Sequence, residues 1–161
     1  MKNFSLPLSE KYQRSVIELY KLPALIDTSA VIPVVSMFPA MFEKCFDVRI
    51  ILPNEYVIGF GAGAVYSLAE FKIGELIFNE FEVFVPHRPK LNFPFLLSAT
   101  LFHGMAYEFD TINQKFTVRM RDDQPLTREF KIREIRGELL PQIDGVLIQD
   151  ADIFLQPYIL I

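Results

Sequence analysis

The chain has 161 residues, of which 51% are hydrophobic and 14% aromatic, and its formal net charge is −4. This length favours one domain, and the apolar content is high enough to exclude intrinsic disorder. The negative charge and the lack of a Lys or Arg cluster give no reason to expect nucleic-acid binding. A single cysteine, Cys45, excludes a disulfide framework and a multi-cysteine metal site. Because it lies among apolar residues, Cys45 is expected to be a small buried side chain.

The sequence gives no sign of membrane insertion or secretion. No stretch approaches the roughly 18 uncharged apolar residues of a membrane span. The first residues also lack the unbroken apolar run of a secretory signal. We therefore expect a cytoplasmic protein with no membrane partner.

Short apolar or alternating stretches bounded by turn residues predict strands along the chain. In chain order, strands are expected at residues 15–20, 25–26, 31–35, 48–52, 80–85 and 95–97, and in a hairpin over 109–120. Two short helices are expected over 39–46 and 99–105, the first with Pro39 near its opening turn.

Two strands carry further local predictions. Pro53 and Asn54 follow the strand at 48–52 and predict a turn that ends it. Alternation within 80–85 places Glu80 and Glu82 together on the polar face of that strand.

Residues 56–66, YVIGFGAGAVY, have two apolar arms around a glycine-rich centre and predict a hairpin. GFGAG has neither the spacing of a dinucleotide-binding loop nor a following amphipathic helix.

Many short strands separated by turn signals predict an all-β domain, either a barrel or a sandwich. We expect residues 1–161 to form this single domain. Residues 145–161 end in IFLQPYILI, and a free end of that composition would be an exposed, adhesive strand edge. This tail is therefore expected to join a sheet of its own chain or of a partner.

The candidate site is residues 24–31, ALIDTSAV, where Asp27 directly follows an apolar strand and precedes small residues. An aspartate that caps a turn at a strand end would explain this pattern as well as a catalytic carboxylate would. His87 and His103 form no ligand-spaced pair, and Ser29 and Ser98 have no evident histidine partner. No metal site, cofactor or serine-hydrolase site is therefore expected.

Four segments, in order, resemble the conserved blocks of the retropepsin family of aspartic peptidases. LIDTSA resembles the family's hydrophobic-hydrophobic-Asp-Thr-Gly-Ala motif, and VIGFGAGAVY resembles its glycine-tipped flap. KIGELIFNEFEVFV resembles the strand pair after the flap, and FPFLLSATLFHGMAYEFD resembles the second conserved block. The resemblance covers roughly residues 14–120, and residues 121–161 form an extension with no counterpart in the family.

The resemblance implies a closed retropepsin-like β-barrel that acts as a homodimeric aspartic endopeptidase. Asp27 from each chain would share one proton; the ionised carboxylate would activate water and the protonated one would polarise the peptide carbonyl. Thr28 would bond across the dimer axis, and Ser29 and Ala30 would line the site floor. An extended peptide substrate would lie beneath the flap residues, which are Ile58, Gly59, Phe60, Gly61, Ala62 and Gly63. The segment IFLQPYILI would either join a dimer-seam sheet or close its own barrel.

Two departures from the family pattern keep other functions open. Ser29 and Ser98 stand where the two conserved blocks usually have glycine. A catalytically inactive domain of the same fold that binds peptides or supports assembly is therefore the alternative. An unrelated β-barrel interaction domain is a third possibility.

Overall fold

The structure, a computed structural model, describes residues 1–12 and 15–148 and the backbone of residues 158–160. Strands dominate these residues, whose β-branched and aromatic content favours extended backbone. The strands are Lys2–Pro7 (β1), Val16–Leu19 (β2), Leu22–Asp27 (β3), Val34–Val35 (β4), Val48–Val57 (β5), Gly61–Leu68 (β6), Phe71–Ile73 (β7), Leu76–Pro86 (β8), Phe95–Ser98 (β9), Ala106–Asp110 (β10), Lys115–Met120 (β11), Thr127–Ile135 (β12), Glu138–Ile143 (β13), Val146–Leu147 (β14) and Tyr158–Leu160 (β15). The prediction of a mainly β chain is confirmed.

The helical segments are short. Among the described residues they are the α-helix Pro39–Cys45 (α1) and the 3₁₀ helix Ala99–Phe102. Pro39 opens α1 as predicted, and Phe42 is the residue that α1 buries. Cys45, in the last turn of α1, is exposed, so the prediction that it is buried is wrong. No helix in residues 1–12 and 15–148 has the length and apolar character needed to cross a membrane.

Most strands belong to one large sheet in the order β14-β13-β12-β8-β4-β9-β3-β2. Strand β8 is its central element. The first half of β8 pairs with β7 and β12, and the second half pairs with β4 and β6. Strand β5 joins the sheet through its hairpin with β6.

The phenylalanines of the sequence are concentrated around β8. Phe71 stacks on Phe81 with ring centroids 4.4 Å apart and planes 6° apart. Phe78, Phe84 and Phe95 are also buried in the same core. Because each buried Phe stabilises the fold by roughly 1.5–3 kcal/mol, these rings fix the sheet on which the candidate site stands.

The strand that ends in Asp27 takes part in a local crossover. Strand β9 lies between β3 and β4, parallel to β3 and antiparallel to β4. Residues 28–33 connect β3 to β4 and therefore pass around the carboxyl end of β9. In this register Asp27 is the direct partner of Ser98.

The second sheet has the order β1-β11-β10-β15 and contains both terminal strands. Strand β15 pairs in parallel with β10 of the same chain. The backbone of residues 158–160 thus follows the alternative in which the tail joins its own sheet. The rest of IFLQPYILI lies outside the described residues.

The prediction of a closed barrel is wrong. In the described part of the chain, β14 and β2 are separate ends of the large sheet, and β1 and β15 are separate ends of the small one. Closure requires one continuous ring of paired strands. Here β8 pairs with two strands on each side at successive positions, so the sheet branches instead of curling into a ring.

The predicted turn at Pro53 and Asn54 is also wrong, because β5 continues through both residues to Val57. Its pairing with β6 shifts register between Ile50 and Leu52 and again between Leu52 and Glu55. Such irregularities accommodate a proline, which has no N–H to donate to a regular ladder.

Alternation predicts that Glu82 shares a face of β8 with Glu80, and the structure shows that Glu82 is buried there, with only 7% of its surface exposed. Its Oε1 accepts a hydrogen bond of 2.8 Å from the backbone N–H of Ile132 on β12. Glu80 forms an ion pair with Lys131 at 3.2 Å and remains partly exposed. This burial depends on β12, which pairs beside β8 in the sheet and is distant from it in sequence.

We expect Glu82→Gln to remove part of the pH dependence of stability. Burial raises the pKa of Glu82 above its ordinary 4.5, although the Ile132 amide and the charges of Lys131 and Arg49 oppose the rise. Because the folded state binds this proton more tightly, the resulting stabilisation is complete below the ordinary pKa and is lost as the pH rises through the raised one. Urea titrations at about pH 4 and about pH 8 should therefore show a larger loss of unfolding free energy in wild type than in the variant. An equal loss in both proteins would contradict this assignment.

Candidate active site

Asp27 is held in a defined position at the end of β3. Its Oδ1 accepts hydrogen bonds from the Ser29 backbone N–H at 3.0 Å and from the Ser29 hydroxyl at 2.6 Å. The N–H of Ala30 donates to the backbone oxygen of Asp27 at 3.2 Å. The aspartate therefore caps a tight turn, as one explanation of the sequence predicted, while its side chain stays partly exposed.

A buried hydroxyl pair supports the loop after Asp27 from below. Thr100 donates from Oγ1 to the backbone oxygen of Val31 at 2.8 Å. Ser98 Oγ lies 2.7 Å from Thr100 Oγ1, and since the Thr100 proton goes to Val31, Ser98 is the donor to Thr100. Both hydroxyl residues are fully buried. Ser98 therefore contributes to the support of the loop and places no side chain in the open site.

The predicted glycine hairpin exists, and its turn is three residues long. The N–H of Phe60 donates to the backbone oxygen of Val57 at 2.9 Å. Gly59 and Gly61 have φ values of 92° and 83°, which side-chain-bearing residues rarely adopt. Ile58 at the tip is 90% exposed. We call residues 57–61 the glycine tip.

Gly63 is not part of this tip, although the sequence placed it there. It lies within β6, where it pairs with Pro86 of β8. A Cβ at this position would lie 2.7 Å from both the Phe84 ring and the Pro86 Cα, and closer still to the Val85 carbonyl oxygen. Glycine is therefore required here for the close approach of β6 and β8.

Asp27 and the glycine tip line the same cavity, whose volume is about 250 Å³. Phe60 comes from the tip, and Leu25 and Leu96 come from the paired strands β3 and β9. The remaining wall is the loop of residues 90–93, which brings Lys90 and Asn92 beside the aspartate. Ser36 fixes this loop, because its Oγ accepts the backbone N–H of Lys90 at 2.9 Å and of Leu91 at 3.0 Å.

A second, larger cavity of about 420 Å³ adjoins the first, and Phe60 and Leu96 line both. Its floor includes Ala30, Val31 and Ile32, from the loop after Asp27. Its far wall is the end of the β12–β13 hairpin, at residues 137–140. We call these two adjoining cavities, which are lined by the Asp27 loop and the glycine tip, the groove.

The predicted site residues divide into three groups. Asp27, Ala30, Ile58 and Phe60 line the groove. Thr28 and Ser29 are exposed and line neither cavity, so Ser29 does not form the floor as expected, and Ala62 lines a neighbouring cavity together with His87. Gly59 and Gly61 shape the turn, and a Cβ on either would meet no atom within 4 Å.

Sequence reasoning missed Lys90, Asn92 and the β12–β13 hairpin. The first two lie in a loop without a periodic pattern, and only tertiary structure brings that loop to Asp27. Residues 127–143 do alternate in places, but nothing local shows that they reach the groove. In residues 1–12 and 15–148, no three His, Cys, Asp or Glu side chains come together as metal ligands would.

A second aspartate, Asp110, also stands at the end of a strand and differs from Asp27 in its surroundings. Asp110 ends β10 before a threonine, and its carboxylate accepts the backbone N–H groups of Ile112 at 3.1 Å and Asn113 at 3.0 Å. These hydrogen bonds lower the pKa of Asp110, and the bond from the Asn113 backbone N–H has the largest effect. Asp110 thus caps a surface turn, whereas Asp27 caps a turn and also borders a groove.

The similarity of this chain to known proteins lies in its structure. No protein-family model matches the chain, and a search of curated proteins finds no match. Among solved structures, the chain is similar to a retropepsin-like aspartic protease from Rickettsia conorii, with a TM-score of 0.48 and 14% sequence identity. The similarity covers 74% of this chain and 91% of that one.

Proposed function

We propose that this protein is an aspartic endopeptidase that cleaves extended peptides in the groove between Asp27 and the glycine tip. The observation that carries the proposal is that Asp27 and Phe60 line one cavity. A carboxylate held by the turn after its strand thus faces a hairpin tip whose glycines permit movement. The order of the sequence blocks that resemble retropepsins supports the same function.

The proposed chemistry requires two Asp27 carboxylates, one from each of two copies of the chain. Two carboxylates within hydrogen-bond range cannot both ionise cheaply, so the pair retains one proton. The ionised carboxylate removes a proton from water, and the water oxygen attacks the peptide carbonyl carbon. The protonated carboxylate donates to the carbonyl oxygen. As the C–N bond breaks, the carboxyl that took the proton from water gives it to the departing amine, and the other carboxylate takes a hydroxyl proton from the intermediate, which restores the pair.

The peptide would bind as an added strand. In the described residues, β5 pairs on one side with β6 and has no strand partner on the other. An extended peptide could hydrogen-bond to such backbone groups, while its alternate side chains enter the groove. The apolar lining of the groove favours apolar side chains near the cleaved bond.

The direct test is cleavage of an unfolded protein by the wild-type chain between about pH 3 and pH 7, a range in which a carboxylate pair holds one proton. Products are identified by mass spectrometry, with and without a pepstatin-like inhibitor. The proposal predicts cleavage that the inhibitor suppresses. Absence of cleavage together with absence of inhibitor binding would overturn it.

One observation favours the alternative, a peptide-binding domain without catalytic activity. The Ser29 hydroxyl donates to Asp27 Oδ1 at 2.6 Å and occupies space that glycine would leave open. This hydrogen bond competes with the contacts that Asp27 Oδ1 would make to the attacking water and to the second carboxylate.

We expect Ser29→Gly to raise the cleavage rate about tenfold, since hydrogen bonds to charged groups contribute about 1.5–3 kcal/mol. The backbone N–H of residue 29 would still hold Asp27 in place. Ser29→Ala is the matched control, because it removes the hydroxyl and keeps the Cβ. It therefore separates the effect of losing the hydrogen bond from the effect of freeing the space beside Asp27. Initial rates on one fluorogenic peptide measure the effect. An inactive wild type with an active Ser29→Gly variant would establish the alternative, and unchanged rates in both variants would refute the role given to Ser29.

A further inference from the structure

The C-terminal extension supplies one wall of the groove, and its own turn and the core hold this wall in place. The turn of the β12–β13 hairpin is formed by Arg136 and Gly137, with φ values of 54° and 82°. Positive φ at both central residues is typical of the two-residue type I′ turn, whose twist matches that of paired strands. The Gly137 N–H also donates to Glu134 Oε1 at 2.8 Å. The hairpin end therefore has a fixed shape.

The base of the hairpin is fixed to the core. Phe130 and Ile132 of β12 and Ile143 of β13 are buried in the main hydrophobic cluster. Asp144 accepts the Glu129 N–H at 2.9 Å on Oδ1, and Arg128 Nε donates to its Oδ2 at 3.0 Å. The two sides of the groove thus differ. The turn of the glycine tip is exposed and depends on two glycines, whereas the β12–β13 hairpin is anchored by the buried residues at its base.

The two leucines of the hairpin end have different surroundings. Leu139 and Leu140 are both half-buried and both line the larger cavity. Leu139 packs against the main hydrophobic cluster, and Leu140 is not among the residues that do so. Because Leu140 lines the larger cavity and is not among the residues described as packed against the cluster, its size can be changed with little effect on the core.

The larger cavity adjoins the cavity that contains Asp27, since Phe60 and Leu96 line both. A peptide with its cleaved bond at Asp27 would therefore place a neighbouring side chain against Leu140. Among the described residues that line this cavity, Glu138 is the one charged side chain. An acidic occupant would be repelled, and an apolar one would bury its surface against Val31, Val57 and Phe60.

We propose that the β12–β13 hairpin end, through Leu140, selects the size of the apolar side chain that a bound peptide places in the larger cavity. The inference rests on the proposed peptide-binding function of the groove. Residues 137–140 would thus determine substrate specificity, and they lie outside the sequence blocks that resemble retropepsins.

The test compares Leu140→Ala and Leu140→Phe with the wild type. Ile135→Ala is the matched control, because Ile135 lies on the same hairpin, is exposed and does not line the cavity. Peptides that differ only in one residue, Ala, Leu or Phe, are assayed for cleavage and, on an Asp27→Asn background, for binding by fluorescence anisotropy. A methylene group in an apolar pocket is worth roughly 10–200-fold in discrimination. Leu140→Ala should thus shift the preference towards Phe by about tenfold, and Leu140→Phe should shift it towards Ala.

The result separates the inference from the proposed catalysis. Unchanged preferences in both Leu140 variants, with folding equal to wild type by circular dichroism, would overturn the inference even if cleavage occurs. If no peptide is cleaved but the binding preferences shift as expected, the catalytic proposal fails and the wall is established. If no peptide of the set is cleaved or bound, both are overturned. A shift of equal size in Ile135→Ala would also overturn the assignment to Leu140.

Discussion

Asp27→Asn is expected to reduce peptide cleavage by about 10²–10⁴-fold and to leave the fold intact, because an amide cannot exchange the proton that general acid–base catalysis requires. The side-chain oxygen of asparagine can still accept the bonds that Ser29 donates to Asp27 Oδ1. The turn after β3 should therefore persist. Cleavage of one fluorogenic peptide and the urea midpoint of the same preparation measure the two effects. Full activity in this variant would end the assignment of Asp27 as the catalytic carboxylate.

Asp110→Asn is the matched control for that substitution. Asp110 also ends a strand and accepts backbone N–H groups within its own turn, but it lies on the β10–β11 hairpin. It should retain wild-type cleavage. Its turn loses some stability, because bonds from Asn113 favour the ionised form that asparagine lacks.

Mixing the wild-type protein with the Asp27→Asn variant tests whether one active site needs two chains. If each site requires an Asp27 from both copies, activity should fall as the square of the wild-type fraction, to about a quarter at equal mixing. A linear fall to about half would show that a single chain holds a complete site. The mixture must be equilibrated long enough for subunits to exchange, which a labelled wild-type chain can report.

Local patterns were sufficient to predict the parts of the site that lie on single elements. Asp27 was placed at a strand end because apolar residues precede it and small residues follow it, and both features act within a few residues. The glycine tip was predicted for the same reason, since positive φ at Gly59 and Gly61 is a local requirement. In both cases neighbouring residues in sequence determine the conformation.

The sequence did not predict features whose surroundings are set by segments distant in sequence. Alternation within β8 predicts that Glu80 and Glu82 share a face, but it gives no sign that β12 brings the Ile132 amide against Glu82. Gly63 was assigned to the mobile tip, whereas contact with β8 fixes it in a strand. The closed barrel failed because pairing partners of β8 cannot be deduced from its sequence. The role of the β12–β13 hairpin could not be predicted, since its position depends on parallel pairing with β8.

Arg128→Met is expected to lower the free energy of unfolding by about 3 kcal/mol, because it leaves buried polar partners without their donor. Arg128 is 7% exposed and joins three segments. Its Nη1 and Nη2 donate to the backbone oxygens of Leu101 and His103, at 3.2 and 2.7 Å, and its Nε pairs with Asp144. Methionine retains much of the apolar volume of the arginine stem, so the loss reports mainly the missing hydrogen bonds.

Arg119→Met is the control for the loss of Arg128, because Arg119 pairs with Glu108 at 2.7 Å while its side chain is 42% exposed. An ion pair of this exposure contributes only about 0–1 kcal/mol, since water and salt screen it. Urea titrations of both variants should therefore separate them by about 2 kcal/mol. Equal losses would show that burial does not set the contribution of Arg128. Because Arg128 fixes the base of the hairpin whose end lines the groove, its loss should also weaken peptide binding, whereas Arg119→Met should not.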